Sequence, residues 1–216
     1  KANSMFYNKH IERVVSLEND ITNMKSMFQY SPATSLDLSS FDTSKVTNMS
    51  YMFAYSQATS LDLSNLDTSN VTDMNWMFAY SQATSLDLSS FNTSKVTNMG
   101  AMFRDSKATS INVSSFDTSN VTDMQNMFAS SQATSLDLSS FDTSKVTDMR
   151  WMFRLSQATQ LDLSSFDTSK VNSNGMAYMF EYALATTGYA RTRADATKLN
   201  GSSNKPGTLN FTVKQQ

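Results

Sequence analysis

The chain has no cysteine and a single histidine, His10. Without cysteine there are no disulfides and no thiol catalysis. A lone histidine with no carboxylate cluster beside it is expected to be a surface residue. Charge is scarce too: the net charge is -2, spread evenly, so the basic footprint of a nucleic-acid binder is missing. No apolar run approaches the ~18 residues of a membrane span, and no membrane insertion is expected. Neither a signal peptide nor an anchoring tail is expected among these residues. Lys1 is not a natural start, so a fragment or a processed form is expected.

What is present is a repeat. A 25-residue unit recurs, and one copy runs from Ala33 to Gln57 as ATSLDLSSFDTSKVTNMSYMFAYSQ. A Met-Phe pair marks the period, at Met27-Phe28, Met52-Phe53, Met77-Phe78, Met102-Phe103, Met127-Phe128 and Met152-Phe153. Weaker copies flank these at Met5-Phe6 and Met179-Phe180. All 15 methionines fall at two positions of the unit, so methionine here serves architecture. A short fixed period of this kind means a solenoid.

One rung can be read from its residues. In Ala33–Phe41 the apolar residues stand at relative positions 1, 4, 6 and 9, the leucine-rich spacing. Leu36 and Leu38 alternate with polar neighbours, which predicts a short strand with the leucines on one face. Asp42-Thr43-Ser44 is a turn and helix-cap cluster, with Ser44 or Thr43 as the cap. Val46, Met49, Met52 and Phe53 then follow as an apolar stripe that predicts about two turns of helix. The expected fold is therefore an α/β repeat solenoid, a leucine-rich-repeat-like coil with one short parallel strand and one short helix per rung. Phe41, Leu66, Phe91, Phe116, Phe141 and Phe166 would stack as an internal spine. No rung closes its core alone, so neighbours must supply the missing contacts.

The ends depart from the unit. Residues 1–20 read as an N-terminal cap with a degenerate rung, in which Ile11 and Val14 stand for the strand and Val15 and Leu17 help cover the first core layer. Residues 21–185 read as the solenoid and 186–216 as a C-terminal cap. That cap holds an expected helix over Arg191–Asn200, stopped by Gly201, and a last strand over Leu209–Val213, displaced by a long insertion.

The phrase LDLSSFDTSKVTNMSYMF closely resembles the repeat of BspA-like leucine-rich surface proteins, also found in mycoplasma lipoproteins and in cell-wall-anchored proteins of lactobacilli. The likeness covers roughly residues 21–180. The chain departs from common members in carrying Ser31, Ser56, Ser81, Ser106, Ser131 and Ser156 where cysteine is frequent, and alanine at the first consensus position. The resemblance implies an exported protein on the bacterial cell surface, held there through regions outside this chain. It further implies adhesion to host mucin, extracellular-matrix protein or an epithelial surface receptor. It supplies no catalytic residues, and neither a cofactor nor a metal is expected. The chain is expected to be a monomer.

Fixed positions build the coil, and varied positions are free to recognise a ligand. Variation concentrates around the Met-Phe pair. Tyr51, Tyr55, Trp76 and Tyr80, with Tyr30, would form an aromatic surface on the first rungs. Arg104, Arg150, Trp151 and Arg154 would form a basic aromatic patch further along. Such residues suit sugar rings or protein hot spots, and they could equally bury themselves between rungs. The alternative face is the polar side of the strands, where Asp37, Asp62, Asp87, Asn112, Asp137 and Asp162 would line up one per rung. Stacked like charges repel unless screened or hydrogen-bonded, and a flat ladder lacks the converging oxygens of a calcium site. No irregular nucleophile–base cluster appears, as an enzyme would need. The expected function is a non-enzymatic adhesin module. The alternatives are a carbohydrate-binding module for mucin or cell-wall glycans, and a structural spacer.

Overall fold

The computed structural model describes residues 3–11, 13–14 and 20–214. The chain winds into a β-solenoid of about seven turns. Each rung contributes at most a short strand: β1 (Ser35–Leu36), β2 (Ser60–Leu61), β3 (Ser85–Asp87), β4 (Ser110–Asn112) and β5 (Gln160–Leu163). Strands pair in parallel with the repeat's register, Ser35 on Ser60 and Leu86 on Ile111. The alternation works as the sequence predicts: Leu86 and Leu88 are buried while Ser85 and Asp87 face solvent. Between β4 and β5, Leu136 and Leu138 still pack against the core without forming a regular strand.

The expected helix over Val46–Phe53, and its equivalents, is not formed. In its place runs a chain of turns. Two residues per rung take left-handed backbone, among them Tyr51 (φ 58°), Tyr55 (59°), Trp76 (57°) and Tyr80 (57°). A left-handed residue costs an L-amino acid roughly 1–2 kcal/mol and cannot continue a right-handed helix. Alternate N–H groups instead point along the solenoid axis. Met24, Ser26, Phe28 and Tyr30 donate to the carbonyls of Asn48, Ser50, Met52 and Ala54 in the next rung, each at 2.9 Å. The N–H groups between them close tight turns within the rung, Met27 to Met24 at 3.2 Å and Ser31 to Phe28 at 3.0 Å. These backbone donors are thus satisfied by neighbouring rungs and local turns, and the apolar stripe reaches the core without a helix.

Thr43 is likewise no helix cap. Its buried hydroxyl donates to the Asp67 carbonyl of the next rung at 2.9 Å, and Thr68, Thr93, Thr118 and Thr143 repeat this bond. On the opposite side Thr72, Thr97 and Thr122 donate their N–H backwards, to Thr47, Thr72 and Thr97. Bonds therefore run both ways between neighbours, and each rung is clamped along its circuit.

The core is a set of columns. Val46, Met49, Met52 and Phe53 are fully buried, as are their equivalents in the following rungs. The continuous aromatic column is the phenylalanine of the Met-Phe pair. From Phe28 to Phe180 successive rings stack at 5.4–5.9 Å. Phe6 joins one end at 5.5 Å and Phe211 the other at 4.9 Å. The spine expected at the Phe41 position stacks only from Phe116 through Phe141 to Phe166, at 6.3 and 6.2 Å. Leu66 interrupts it, and Phe41 leans on Phe28 instead, at 5.9 Å.

At the N-terminal end, Ser4, Phe6 and Asn8 donate to Lys25, Met27 and Gln29, so this segment forms a partial rung. Ile11 and Val14 are half-buried, and Val14 packs on the core. Val15 and Leu17 lie outside the described residues. At the other end, β6 (Thr187–Ala190) pairs with β5, and β7 (Asn210–Val213) pairs with β6. The sequence shows the last strand but not β6 before it. Gly188 in β6 sits opposite Phe211, where a Cβ would fall 2.5 Å from the ring. Only glycine leaves that ring its place on the column. Between these strands lies α1 (Arg193–Asn200), the one α-helix among the described residues, capped by Thr192 and ended at Gly201. Its buried Asp195 accepts from the Thr168 N–H at 3.0 Å and from the Thr168 hydroxyl at 2.7 Å. The helix thus supplies the acceptor that another rung would have offered.

Candidate functional site

The left-handed residues decide where the varied side chains go. They recur at the same two turn positions of each rung, so side chains 25 residues apart stack outside the core. Tyr55 lies between Tyr30 and Tyr80, with ring centroids 4.5 Å from each. Tyr7 meets Tyr30 edge-on at 5.5 Å. Beside this column Tyr51 stacks on Trp76 at 5.5 Å, and Trp76 reaches Tyr80 at 6.4 Å. The aromatic residues expected on the first rungs therefore form one continuous surface. They are mostly half-buried against one another. Burial raises the phenol pKa of Tyr51, Tyr55 and Tyr80, with the nearby acids Asp73 and Asp105 adding to it at Tyr51 and Tyr80. Their hydroxyls stay protonated and able to donate.

Arg104 ends this surface. Its guanidinium lies 5.4 Å from the Trp76 centroid and 5.9 Å from that of Tyr80, within cation–π range. It also lines an open cleft of about 570 Å³ with Asn126, Trp151, Arg154, Tyr178, Glu181 and Asn204. Trp151 stacks on Tyr178 at 6.2 Å. Arg150 does not line this cleft. It binds Asp148 at 2.9 and 3.0 Å and lies 5.5 Å over the Trp151 ring. Each arginine has an acid: Arg104 with Asp105 at 3.3 Å, Arg150 with Asp148, and Arg154 with Glu181 at 2.7 Å. The patch expected to be basic is a set of ion pairs beside aromatic rings.

The strand-side aspartates form a different surface. Asp37, Asp62, Asp87, Asn112 and Asp137 are exposed, and Asp162 is half-buried. Each accepts the backbone N–H of the serine two residues on, at 3.0–3.2 Å. Hydrogen bonds from those serines hold the carboxyl pKa of Asp37, Asp62, Asp87 and Asp137 below the usual range. Asn112 relieves the ladder by donating to Asp87 at 3.0 Å, and Lys214 pairs with Asp162 at 2.7 Å. These carboxylates are engaged within their own turns.

Sequence reasoning missed a second polar ladder, next to the varied face. Asn23, Asn48, Asp73, Asn98, Asp123 and Asp148 bridge rung to rung. Each caps the N–H two residues on, as at Asn75 (3.0 Å), Gly100 (2.9 Å) and Gln125 (2.9 Å). The signal was available, since the residue before the first methionine is Asn or Asp in the six regular copies of the unit, from Asn23 to Asp148. Amides separate the acids until Asp123 and Asp148 adjoin. Burial, together with the Asp148 charge, raises the Asp123 pKa against the opposing Gln125 N–H bond. His10 is exposed. Among the described residues no group of three or more His, Cys, Asp or Glu could hold a metal ion, and no helix is long and apolar enough to cross a membrane.

Fold and surface together define a repeat solenoid with a consistently apolar interior and a varied aromatic face. The sequence matches the family described as "Mycoplasma protein of unknown function, DUF285", over residues 2–115 and again over 79–191. The chain belongs to that family. No curated protein and no solved structure matches it.

Proposed function

We propose that this chain is a non-enzymatic adhesin module on the bacterial cell surface, which holds glycan-bearing host material such as mucin through its varied face. The observation that carries this reading is the outer surface of stacked tyrosine and tryptophan with Arg104 at its edge. Rings prealigned by the coil lose little side-chain entropy on binding, and aromatic and arginine residues are the usual anchors of recognition surfaces. The likeness of the repeat to BspA-like leucine-rich proteins supports the extracellular setting. The strand-side aspartates are the weaker candidate, because their oxygens are already committed to local serines. The test is retention of the protein on immobilised mucin, beside a Trp76→Ala/Trp151→Ala variant that keeps its fold. Specific retention lost in the variant supports the varied face. Retention unchanged moves recognition to the aspartate side, and no retention by either protein favours a spacer.

A further inference from the structure

The varied face is interrupted at one rung. Asn75-Trp76 in the third rung and Gln125-Asn126 in the fifth fill the two positions before the Met-Phe pair, and between them stand Gly100-Ala101. Loss of both side chains in one rung opens a notch of about 230 Å³, walled by Asn75, Trp76, Asn98, Asp123, Gln125 and Asn126. A Cβ on Gly100 would lie 3.2 Å from Asn98 Oδ1 and 3.5 Å from Asp123 Oδ1, so side-chain oxygens form the floor. Tyr51 covers one face of the Trp76 indole. The other face looks toward Ala101, which offers no ring to continue the stack, and the Arg104 guanidinium of the same rung covers part of it, 5.4 Å from the ring centroid.

The lining has a definite chemistry. Asn75 Oδ1 is enclosed and has no hydrogen-bond partner, alone in this respect among the described side-chain atoms. Leaving a buried acceptor unsatisfied is costly, and a turn of the Asn75 side chain toward a ligand hydroxyl in the notch removes that cost. Asp123 adds a carboxylate, and Asn98, Gln125 and Asn126 bring amides that both donate and accept. An apolar ligand would leave these groups unpaired, and a simple cation would have no use for the amide donors. An anionic ligand would meet the Asp123 carboxylate. A pyranose fits each requirement: hydroxyls around its rim that donate and accept, and a C–H face for the electron-rich indole. The volume falls below the ~300–1,000 Å³ of sites for drug-sized ligands, which suits one ring and not a chain.

We propose that the Gly100-Ala101 notch is a subsite for one neutral pyranose ring, stacked on Trp76 and hydrogen-bonded by Asn75, Asp123 and the neighbouring amides. The assignment rests on the recognition reading above and names its ligand class and its place.

The test starts from a Trp151→Phe protein, in which Trp76 is the only indole. This protein is titrated with the methyl glycosides of glucose, galactose, mannose, fucose, N-acetylglucosamine and N-acetylgalactosamine. Binding is read from indole emission and from saturation transfer to the sugar protons. Ala101→Tyr, added to that background, fills the notch. Its backbone already suits the residue, because Tyr51 occupies the equivalent position at φ 58° against 53° for Ala101. Asn75→Ala is the second variant and leaves the aromatic stack in place. The expected result is saturable binding of at least one glycoside, weakened tenfold or more by Ala101→Tyr and several-fold by Asn75→Ala. The proposal is overturned if no glycoside binds, or if both variants bind as the parent does. Retention on mucin, measured on the protein that keeps both tryptophans, separates the two readings. If that protein is retained on mucin while the Trp151→Phe protein is indifferent to every glycoside, the notch is overturned and the adhesin reading stands. If mucin does not retain it and no glycoside binds, both fall.

Discussion

Aromatic columns run along this molecule both inside and outside the coil, and the two kinds obey different rules. The inner one, the phenylalanines of the Met-Phe pair, is unbroken from Phe6 to Phe211 and has no exposed member from Phe28 onward. The outer ones begin alike, as Tyr30, Tyr55 and Tyr80 and as Tyr51 on Trp76, and then stop at Asp105 and Ala101. The backbone does not register the change: Ala101 and Asp105 keep the left-handed conformation of the tyrosines before them. Inter-rung hydrogen bonds and the buried column therefore set the path. The outer side chains follow it, and their identity is free to serve recognition.

Substitutions can break that comparison, and the inner column should respond most. Phe103→Ala removes a fully buried ring stacked on Phe78 and Phe128. It should cost roughly 3–5 kcal/mol in denaturant unfolding, and Phe91→Ala and Met102→Ala roughly 2–5 kcal/mol each. The terminal clamp comes next. Burial alone would raise the Asp195 pKa, but bonds from Thr192, Thr168 and Arg191 bring it down from 3.8 to about 2. A carboxylate held lower in the folded state stabilises at pH values above its unfolded pKa. That contribution, about 2 kcal/mol, should fade as pH falls from about 4 through about 2. Asp195→Asn should abolish this part of the acid transition in unfolding curves measured across that window.

The outer column should respond less. Tyr55→Ala loses two exposed-side stacks and should cost about 1 kcal/mol. Ala101→Tyr should do the reverse, extending the Tyr51–Trp76 stack by one ring and adding about 0.5–1 kcal/mol to stability. An Ala101→Tyr protein less stable than its parent would show that backbone and outer side chains are coupled after all. Asn126→Ala should stay within about 0.5 kcal/mol of the parent, and a larger loss would place that residue inside the structural framework.

Much of this arrangement is legible in the sequence, because periodic burial leaves periodic letters. The Met-Phe pair, the alternating leucines and the terminal Phe211 strand are apolar where the chain turns inward. Gly201 stops α1 as its position suggests. The helix expected over Val46–Phe53 failed for a reason local pattern cannot carry. The spacing of Val46, Met49, Met52 and Phe53 suits two helical turns, and suits equally a run of turns whose N–H groups find carbonyls 24 residues away. Nothing in a tyrosine or tryptophan announces a positive φ. The candidate face was legible as variation against a constant background, and its tyrosines and tryptophans do adjoin. The acids that neutralise its arginines were harder to see, since Glu181 meets Arg154 across 27 residues of chain. The notch was not visible at all. It consists of missing side chains, and only the neighbouring rungs give it walls.

The hydrogen bonds that join one rung to the next also fix how the molecule would answer to force. They lie along the coil axis, so tension applied between its ends loads the rungs in series and not all at once. A terminal rung that peels away surrenders its whole circuit. Twenty-five residues drawn out straight span about 80–90 Å, against the ~5 Å the same residues occupy when coiled. Stretched between two anchors, the chain should lengthen in a staircase of nearly equal steps, each absorbing work before the next rung is asked to bear the load.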